Sequence, residues 1–490
     1  MFQPSSYAAL PSHFYAREAV MPLPEAHVWG VNAAALRALG QDERGFEEGL
    51  MATLRDPAGS RSGMPLATGY AGHQFGQFVP TLGDGRAHLI GDLVDGEGRP
   101  WDVQLKGSGR TVYSRGGDGR ATLGAVLREY FLGESFHALG IPTTRSLGVI
   151  LTGERVLRDT AKPGAILIRL ASSHVRVGTF QYFACRGDVT ALQLLADYAI
   201  ARHDPDLAGQ PDRVRLLLRR VVSRQATLVA QWMAVGFIHG VMNTDNMALS
   251  GQTIDFGPCA FMDGFDPHKV FSSIDRQGRY AYDNQPNVAL WNLARFAETL
   301  LPLLAATTEE AVAIAEEELD RFATVYATAY LDGFKAKLGL AGVAADDASL
   351  VEDLLQLMHQ ASADFMVFFH GLAAVLEGGS TRGLLDAAGV ALSAEPGLLH
   401  WMSRWQARRA AEDVTDAAAA VRLRSVNPAV VARNHLVEEA IAAAETDGDL
   451  EPAGALLAAV AQPFVPPLAE PRYAQAPRPE QLVRQTFCGT

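Results

Sequence analysis

The segment from residue 239 to residue 258 holds residue types that could carry out a metal-assisted transfer reaction. Asn246 and Asp255 offer hard oxygen ligands. Mg²⁺ prefers such ligands and usually binds only one or two protein groups, its other positions being filled by water and phosphates. Asp245, beside the asparagine, could accept a proton from an attacking hydroxyl. Singly, these residues fit a polar loop with Asx turns, but their order along the chain favours a metal site.

The same segment resembles the catalytic loop and metal-binding turn of kinase-type phosphotransferases, with one residue changed. In that pattern an Asn lies seven residues after a His, and an Asp-Phe-Gly turn supplies a second metal ligand. His239 and Asn246 keep this spacing and residues 255–257 read Asp-Phe-Gly, but Val241 occupies the place of the catalytic Asp. Asp245 is therefore a candidate proton acceptor, and we predict that His239 supports the loop through hydrogen bonds.

Three clusters of Gly and Arg between residues 83 and 120 could bind phosphate. They read Gly-Asp-Gly-Arg (83–86), Lys-Gly-Ser-Gly-Arg (106–110) and Arg-Gly-Gly-Asp-Gly-Arg (115–120). Glycines let backbone N–H groups approach an anion, and Arg and Lys supply charge. Exposed hairpin turns often have the same composition, and the strict P-loop pattern is absent from the sequence. Alone, the clusters are weak support for a nucleotide site.

Lys106 ends an alternating strand, and the helix after it offers two possible partners. Kinase-type folds pair such a Lys with a Glu on the next helix. Apolar residues at helical spacing, from Leu123 to Phe131, predict this helix. Glu129 lies off the apolar stripe and Glu134 lies on it. This spacing does not choose between the two carboxylates, and an exposed strand-end lysine remains an alternative for Lys106.

Arg169 and Arg176 could also reach an anion, but only if the chain turns between them. A separation of seven residues places them on opposite faces of a straight strand. Two unrelated surface arginines remain the alternative.

The order of elements predicts an α+β protein. Strand-like runs at 88–94, 101–107, 145–151 and 165–171 surround the helix with the apolar stripe. Long helical segments follow, with a β-hairpin between the Asn and the Asp of the metal segment. The predicted helices span 190–202, 211–236, 287–305, 308–338, 349–377 and 405–422, and the predicted hairpin spans 247–257. The last stretch, 452–490, holds seven prolines and is predicted to be an extended strap or flexible tail rather than a helix.

Composition bounds the function. The chain has 490 residues and a net charge of −13, so a broad grip on nucleic acid or anionic membrane is not expected. Its N-terminal residues lack the features of a signal peptide, no apolar run approaches a membrane span, and three cysteines fit a reducing compartment. We therefore expect a cytoplasmic enzyme without nucleic-acid or membrane partners, and we favour a monomer.

Several longer motifs resemble the selenoprotein O family, a family of pseudokinases. The motifs are YAGHQFGQF (70–78), LGDGRAHLIGD (82–92), VQLKGSGRTVYSRGGDGRATLGAVLREY (103–130), the 239–258 segment, QGRYAYDNQP (277–286), WNLARFAE (291–298) and SVNPAVVARNHL (425–436). The resemblance covers nearly the whole chain.

The resemblance implies a protein-kinase-like two-lobed fold that binds ATP in a reversed orientation. It also implies transfer of AMP to Ser, Thr or Tyr hydroxyls of target proteins, among which redox proteins are expected. Composition and the order of elements along the chain predict an N-terminal extension (1–65), a nucleotide-binding lobe (66–185), a mainly helical lobe (186–450) and a C-terminal tail (451–490).

The resemblance also implies a role for each site residue, with Mg²⁺ or Mn²⁺ as the cofactor and ATP as the co-substrate. Lys106 would contact phosphates and pair with Glu129. Asp245 would accept the proton, and Asn246 and Asp255 would bind the metal. The nucleotide contacts implied are Gly83, Gly85, Arg86, Asp118 and Gly119, with Arg169 and Arg176 on the phosphates.

Cys488 lies where relatives of this family carry selenocysteine or cysteine. The resemblance suggests a redox latch between Cys259 and Cys488, and two unpaired thiols are the alternative.

Two other functions remain open from the sequence. An ordinary phosphotransferase is disfavoured by Val241. A catalytically dead nucleotide-binding scaffold is disfavoured by the retention of Lys106, Asn246 and Asp255. The sequence leaves open the target proteins and the choice between ATP and UTP.

Overall fold

Eight strands form one antiparallel sheet in the order β1–β3–β6–β7–β10–β9–β2, with β8 beside β10. The computed structural model describes residues 2–21, 23, 25–56, 59–391 and 393–487. Within them the strands are β1 (Tyr15–Arg17), β2 (His27–Trp29), β3 (Leu66–Thr68), β4 (Gly72–Gln74), β5 (Gln77–Val79), β6 (Ala87–Val94), β7 (Pro100–Lys106), β8 (Ala121–Thr122), β9 (Arg145–Leu157), β10 (Ala161–Ala171), β11 (Phe237–Ile238) and β12 (Ala260–Phe261). The four predicted strand runs all lie within this sheet.

Helices dominate the described chain after β10. They are α1 (Ala33–Ala38), α2 (Glu43–Arg55), α3 (Leu123–Ala138), α4 (Val177–Ala184), α5 (Val189–His203), α6 (Arg213–Ala234), α7 (Gln285–Leu304), α8 (Thr308–Lys337), α9 (Asp347–Ala361), α10 (Phe365–Leu376), α11 (Thr381–Ala387), α12 (Glu395–Ala410), α13 (Asp416–Val426), α14 (Asn434–Ala442) and α15 (Glu451–Val460). The predicted mixture of a sheet with many helices is confirmed. None of the described helices is both long and apolar enough to span a bilayer.

Both faces of the sheet are covered, which explains why its central strands are apolar on each side. Val103 and Leu105 of β7 belong to a core that also contains Leu36 of α1 and Phe46 of α2. The opposite face packs against Leu127 of α3 and joins the large core of the helical region. Residues before 66 thus form the two edge strands, β1 and β2, and the helices α1 and α2 that cover one face of the sheet. A sheet held from both sides fixes the ends of its strands firmly.

Two long predicted helices are each interrupted. The segment 349–377 divides into α9 and α10, because Ser362 adopts a left-handed conformation (φ 49°) at the end of α9. Asp364 then caps α10 by accepting a hydrogen bond from Val367 N. In the same way Thr415 caps the start of α13. The predicted helix at 405–422 is therefore divided between the end of α12 and the start of α13. The helical character was predicted correctly and the continuity was wrong.

The predicted β-hairpin at 247–257 is wrong. Its backbone groups bond to other parts of the chain: Leu249 N donates to Val175 O, and Thr253 N donates to Pro142 O. Ala248 bridges to Arg176 and Thr253 bridges to Thr143. The two halves of the segment are therefore held apart by separate partners, and the Gly251 turn alone did not determine the pairing.

The C-terminal segment begins with a helix, so the prediction of a strap is wrong for its first residues. α15 starts with Pro at its second position, which suits the first turn of a helix. Leu456 and Val460 are buried. Beyond the helix the chain runs back to residues 271–273, where Thr486 N donates to Phe271 O over 2.8 Å and Ser273 N donates to Thr486 O over 3.0 Å.

Candidate active site

One partly buried carboxylate, Asp255, gathers three cations from three different elements. Its Oδ1 accepts from Lys106 Nζ at the end of β7 (2.6 Å) and from Arg169 Nη1 near the end of β10 (2.7 Å). Its Oδ2 accepts from Arg176 Nη1 at the start of α4 (2.6 Å). The chain turns at residues 172–176, and Arg169 and Arg176 therefore both reach Asp255. From the sequence, the two arginines could act together only with such a turn. The burial of Asp255 alone would raise its pKa, but the three cations hold that pKa well below its usual value.

Glu129, rather than Glu134, joins this cluster. Lys106 Nζ donates to Glu129 Oε2 at 2.5 Å, and Arg169 Nη1 donates to Oε1 at 3.0 Å. Burial opposes ionisation of Glu129, yet Lys106 and Arg169 lower its pKa below the ordinary value. Glu134 instead accepts from Arg145, with Nε at 3.1 Å. Three cations face two carboxylates here, which leaves the cluster with one excess positive charge.

The backbone at Asp255 is held in an unusual conformation. Its φ is 62°, in the left-handed region that residues other than Gly seldom adopt. Gly257 N donates to Asp255 O at 2.8 Å. His239 is buried and its ring Nε2 donates to Ile254 O at 3.0 Å, in keeping with the loop-supporting role predicted for it. Such local strain is held in place by surrounding contacts and is typical of functional sites.

Asp245 and Asn246 lie in a short 3₁₀ turn, Thr244–Asn246. Arg176 Nη1 donates to the backbone carbonyl of Asp245 at 2.6 Å, while Asp245 Oδ1 is buried without a hydrogen-bond partner among the described residues. Burial raises the pKa of the Asp245 carboxyl to about 6, against the lowering influence of Arg176. Asn246 Nδ2 donates to Val241 O at 2.9 Å. Because the amide nitrogen is committed, the amide oxygen is the atom that can face a cation.

Most of the residues predicted for the site line one cavity of about 590 Å³. They are Gly83, Gly85, Arg86, Lys106, Asp118, Gly119, Arg169, Arg176, Asp245, Asn246 and Asp255. Val241 faces the same cavity, where its side chain can accept no proton. Glu129 lines an adjoining cavity of about 690 Å³ together with residues of α3 and Phe487.

The glycines of the site also have packing reasons for being glycine. A Cβ at Gly83 would lie 2.3 Å from the ring of Tyr113, and one at Gly85 would lie 2.8 Å from Tyr113 O. A Cβ at Gly119 would lie 2.2 Å from the backbone of Gly109. The three glycines therefore bring two loops into close contact at the cavity wall.

The Asp118 carboxylate is held by an arginine that the sequence did not single out. Arg158 Nη1 and Nη2 donate to its two oxygens at 2.7 and 3.1 Å. These hydrogen bonds lower the pKa of Asp118. Arg158 directly follows the last residue of β9, forty residues along the chain from Asp118, and no local motif marked it.

Four arginines of the cavity carry buried nitrogen atoms with no hydrogen-bond partner among the described residues. These atoms are Arg120 Nη1, Arg158 Nε, Arg169 Nε and Arg176 Nε. Buried donors are normally satisfied, but Arg279, Arg295 and Arg409, which do not line this cavity, show the same shortfall; the number of arginines that line the cavity is therefore the stronger observation. Phosphate oxygens are acceptors that guanidinium groups bind well. The cavity is therefore suited to a polyphosphate.

The donor set also fits a small divalent cation. Asn246 and Asp255 supply only oxygen ligands, and both face the cavity. In the described part of the chain no three His, Cys, Asp or Glu side chains gather into a metal site. Mg²⁺ and Mn²⁺ in nucleotide sites do not need such a group, because phosphates and water complete their coordination.

The cysteine latch remains a prediction, because Cys488 lies outside the described residues. Cys259 is buried directly after the Asp255 turn. Thr486, two residues before Cys488, donates from Oγ1 to Pro258 O at 2.5 Å. Intact-mass measurement with and without reductant, together with the activity of Cys488→Ser, tests the latch. If neither the mass nor the activity changes, there is no latch.

Comparison with known proteins gives a consistent result over the whole chain. The family model described as protein adenylyltransferase SelO matches residues 1–461. A protein nucleotidyltransferase YdiU of Rhodopseudomonas palustris is 51% identical over 99% of this chain and 98% of its own length. A protein of the same name from Rhizobium meliloti is 49% identical, with 99% of each chain covered. With this identity across its full length and the site described above, the chain belongs to the SelO family and is a nucleotidyltransferase.

Proposed function

We propose that this protein transfers AMP from ATP to Ser, Thr or Tyr hydroxyls of target proteins. The observation that carries the proposal is the gathering of Lys106, Arg169 and Arg176 around Asp255 in a cavity that Asp245 also lines. The arginines suit a polyphosphate, and the Asp245 carboxylate suits a hydroxyl that must lose a proton.

The residues divide the work of nucleotidyl transfer between them. Asp245 accepts the proton of the attacking hydroxyl as the new O–P bond forms at the α-phosphorus. The bond between the α-phosphorus and the bridging oxygen breaks, and pyrophosphate leaves. Lys106, Arg169 and Arg176 offset the negative charge that develops on the phosphates. Glu129 keeps Lys106 and Arg169 in place, and the Gly83–Arg86 and Asp118–Gly119 loops contact the nucleotide.

Asn246 and Asp255 would hold Mg²⁺ or Mn²⁺. When bound, the ion supplies charge neutralisation around the α-phosphate and the leaving group. The three cations that bond to Asp255 each have further N–H groups that can donate to phosphate oxygens.

A kinase-like two-lobed arrangement with reversed ATP is part of the proposal. Val241 supports it, because the position from which a kinase-type Asp would act has no titratable group. Asp245 lies where β4, α4 and the Asp255 turn pack together. His73 N of β4 donates to Thr244 Oγ1, and Gly178 of α4 packs against Asp245. A base displaced in this way fits attack on a different phosphorus.

Labelled ATP separates the candidate activities. The protein is incubated with Mg²⁺ or Mn²⁺, acceptor proteins and ATP carrying label at either the α- or the γ-phosphate. We expect protein label from the α-position only. Label from the γ-position only would indicate a phosphotransferase, and label from neither would indicate a non-catalytic scaffold.

Asp255→Asn tests the metal role within the same assay. The change keeps the shape of the side chain but removes the charge that the metal and the three cations require. We expect transfer to fall at least about a hundredfold, the scale on which loss of a preorganised charge acts. Transfer at the wild-type rate by a folded variant would contradict the assignment of Asp255.

A further inference from the structure

Three motifs whose role the transfer chemistry does not explain meet on one surface beside Asp245. The motifs span residues 70–78, 277–286 and 291–298. The first forms the β4–β5 hairpin, and the other two supply Arg279 and Trp291. We call the surface made by His73, Phe78, Arg279 and Trp291 the hairpin patch.

The inner side of the hairpin is bonded to the segment that carries Asp245. His73 N donates to Thr244 Oγ1 at 2.7 Å, and Phe75 N donates to Asn243 Oδ1 at 3.0 Å. Tyr280 Oη donates to the same Asn243 oxygen at 2.7 Å. The hairpin and Asp245 therefore have a fixed relative position, so anything bound to the hairpin is placed relative to the proposed proton acceptor.

The outer side of the hairpin is open. β5 pairs with β4 on one edge, and no other described strand pairs with it. Phe78 is 40% exposed and lies 4.9 Å from the His73 ring, which in turn lies 5.1 Å from the Trp291 ring. An exposed strand edge can bind an extended peptide by strand addition, with main-chain hydrogen bonds giving affinity and neighbouring side chains giving specificity.

Arg279 gives this surface an uncompensated positive charge. Its guanidinium lies 4.7 Å from the Trp291 ring, and its Nε is buried without a hydrogen-bond partner among the described residues. No described carboxylate lies within 4.0 Å of it. Arg295 also lies over Trp291, but it pairs with Glu298 at 2.5 Å. On a chain of net charge −13, a local unpaired cation favours an acidic partner.

We propose that the hairpin patch binds the acceptor protein through an extended acidic segment next to the hydroxyl that is modified. The segment pairs with the free edge of β5, its apolar side chains contact Phe78 and Trp291, and an Asp or Glu pairs with Arg279. This proposal rests on the proposed function, and it identifies the kind of acceptor that the same site uses.

Synthetic acceptor peptides test the proposal. Three sets of peptides carry one Ser, Thr or Tyr in the same apolar framework, flanked by Glu, Gln or Lys. With labelled ATP, we expect kcat/KM to fall from the Glu to the Gln to the Lys peptides, by about tenfold across the series. Arg279→Glu should reverse this order mainly through KM, and Phe78→Ala should weaken all three sets. The dissociation constant for ATP should be unchanged in both variants.

Arg422→Glu is the matched control, because Arg422 is exposed on α13. It should keep the wild-type order of peptides. Equal use of Glu and Lys peptides by the wild-type protein would overturn the proposal, as would the same order in Arg279→Glu as in Arg422→Glu. Arg279→Gln replaces Arg279→Glu if the charge reversal prevents folding. No label from α-labelled ATP in any peptide or protein acceptor would instead overturn the proposed function, and the docking proposal with it.

Discussion

At the scale of single residues, the site depends on the pairing of buried cations with nearby carboxylates. Lys106, Arg169 and Arg176 are all largely buried, with side chains 13%, 2% and 3% exposed. Cations so buried need carboxylates nearby, because an unpaired buried charge costs several kcal/mol, about 3–5 when one partner of a pair is removed. Glu129 and Asp255 meet this need, and the one remaining positive charge favours an anionic ligand.

Glu129→Gln should therefore weaken use of ATP. The change leaves Lys106 and Arg169 with one carboxylate between them, so their positions relative to the phosphates become less defined. We expect kcat/KM for ATP to fall by about ten- to a hundredfold, measured as pyrophosphate release with a fixed acceptor. Glu134→Gln is the control on the same helix, since Glu134 pairs with Arg145 outside the cluster, and it should stay within about threefold of wild type. Equal losses in both variants would show that Glu129 only stabilises α3.

At the scale of elements, the base is positioned by close contacts between a hairpin and a helix. A Cβ at Gly72 of β4 would lie 2.3 Å from Asp245 Oδ1, and one at Gly178 of α4 would lie 2.1 Å from Ala71 O. The absence of side chains at these two positions allows β4, α4 and the Asp245 turn to pack together. These close contacts limit where the Asp245 carboxylate can lie.

Gly72→Ala should displace Asp245 and slow the chemical step. The added methyl group must push the carboxylate away, and a misplacement of about 1 Å can cost up to about a hundredfold in rate. We expect kcat to fall at least about tenfold with an unchanged dissociation constant for ATP, measured by AMP transfer and by calorimetry. Gly96→Ala lies in an open turn after β6 and should leave both quantities unchanged. A normal kcat for Gly72→Ala would contradict the position given to Asp245.

At the scale of the whole molecule, the helical region contains a buried charge that the proposed chemistry does not use. Lys337 at the end of α8 is buried, and this burial lowers its pKa to about 7. The rings of Phe365 and Phe369 lie 5.2 and 4.3 Å from its Nζ. These faces offset part of the cost of burying the charge, by about 1–2 kcal/mol. The ammonium nevertheless reduces stability at neutral pH.

Stability should rise with pH because of Lys337. Its pKa is lower in the folded chain than in the unfolded chain, so between pH 7 and about 10 the unfolded chain binds more protons, and raising the pH favours folding. Lys337→Met should remove this slope and raise the free energy of unfolding at pH 7 by about 1–2 kcal/mol. Urea unfolding at pH 7 and pH 9 measures both effects.

Lys335→Met, on the same helix, should change the free energy of unfolding in the opposite direction. Lys335 lies 3.6 Å from Asp347, so its removal should lower stability at pH 7. A pH slope that Lys337→Met leaves unchanged would contradict the burial of an ionisable amine at this position.

The sequence by itself determined several of the strands and helices that position the site, and the order of the chemical groups along the chain. The alternation of apolar and polar residues at 101–107 predicted the strand that ends at Lys106. The helical spacing of apolar residues from Leu123 onward predicted α3. The 239–258 segment predicted Asp245, Asn246 and Asp255 as a group. These features are visible because strand and helix periodicity, and the spacing of groups within one loop, are local properties of the chain.

Only the tertiary structure decided which of these groups meet. Helical periodicity did not choose between Glu129 and Glu134 and the family resemblance implied Glu129; in the structure α3 presents Glu129 to the ends of β7 and β10. The tertiary structure replaced the predicted hairpin after Asn246 with contacts to residues 142–143 and 175–176, because backbone groups bond to whichever partner the packing brings near. It also supplied Arg158, which no local pattern marked, and it gave a position to Arg279, which lies in the 277–286 motif. Contacts between residues far apart in sequence depend on how whole elements pack, and periodicity carries no information about that packing.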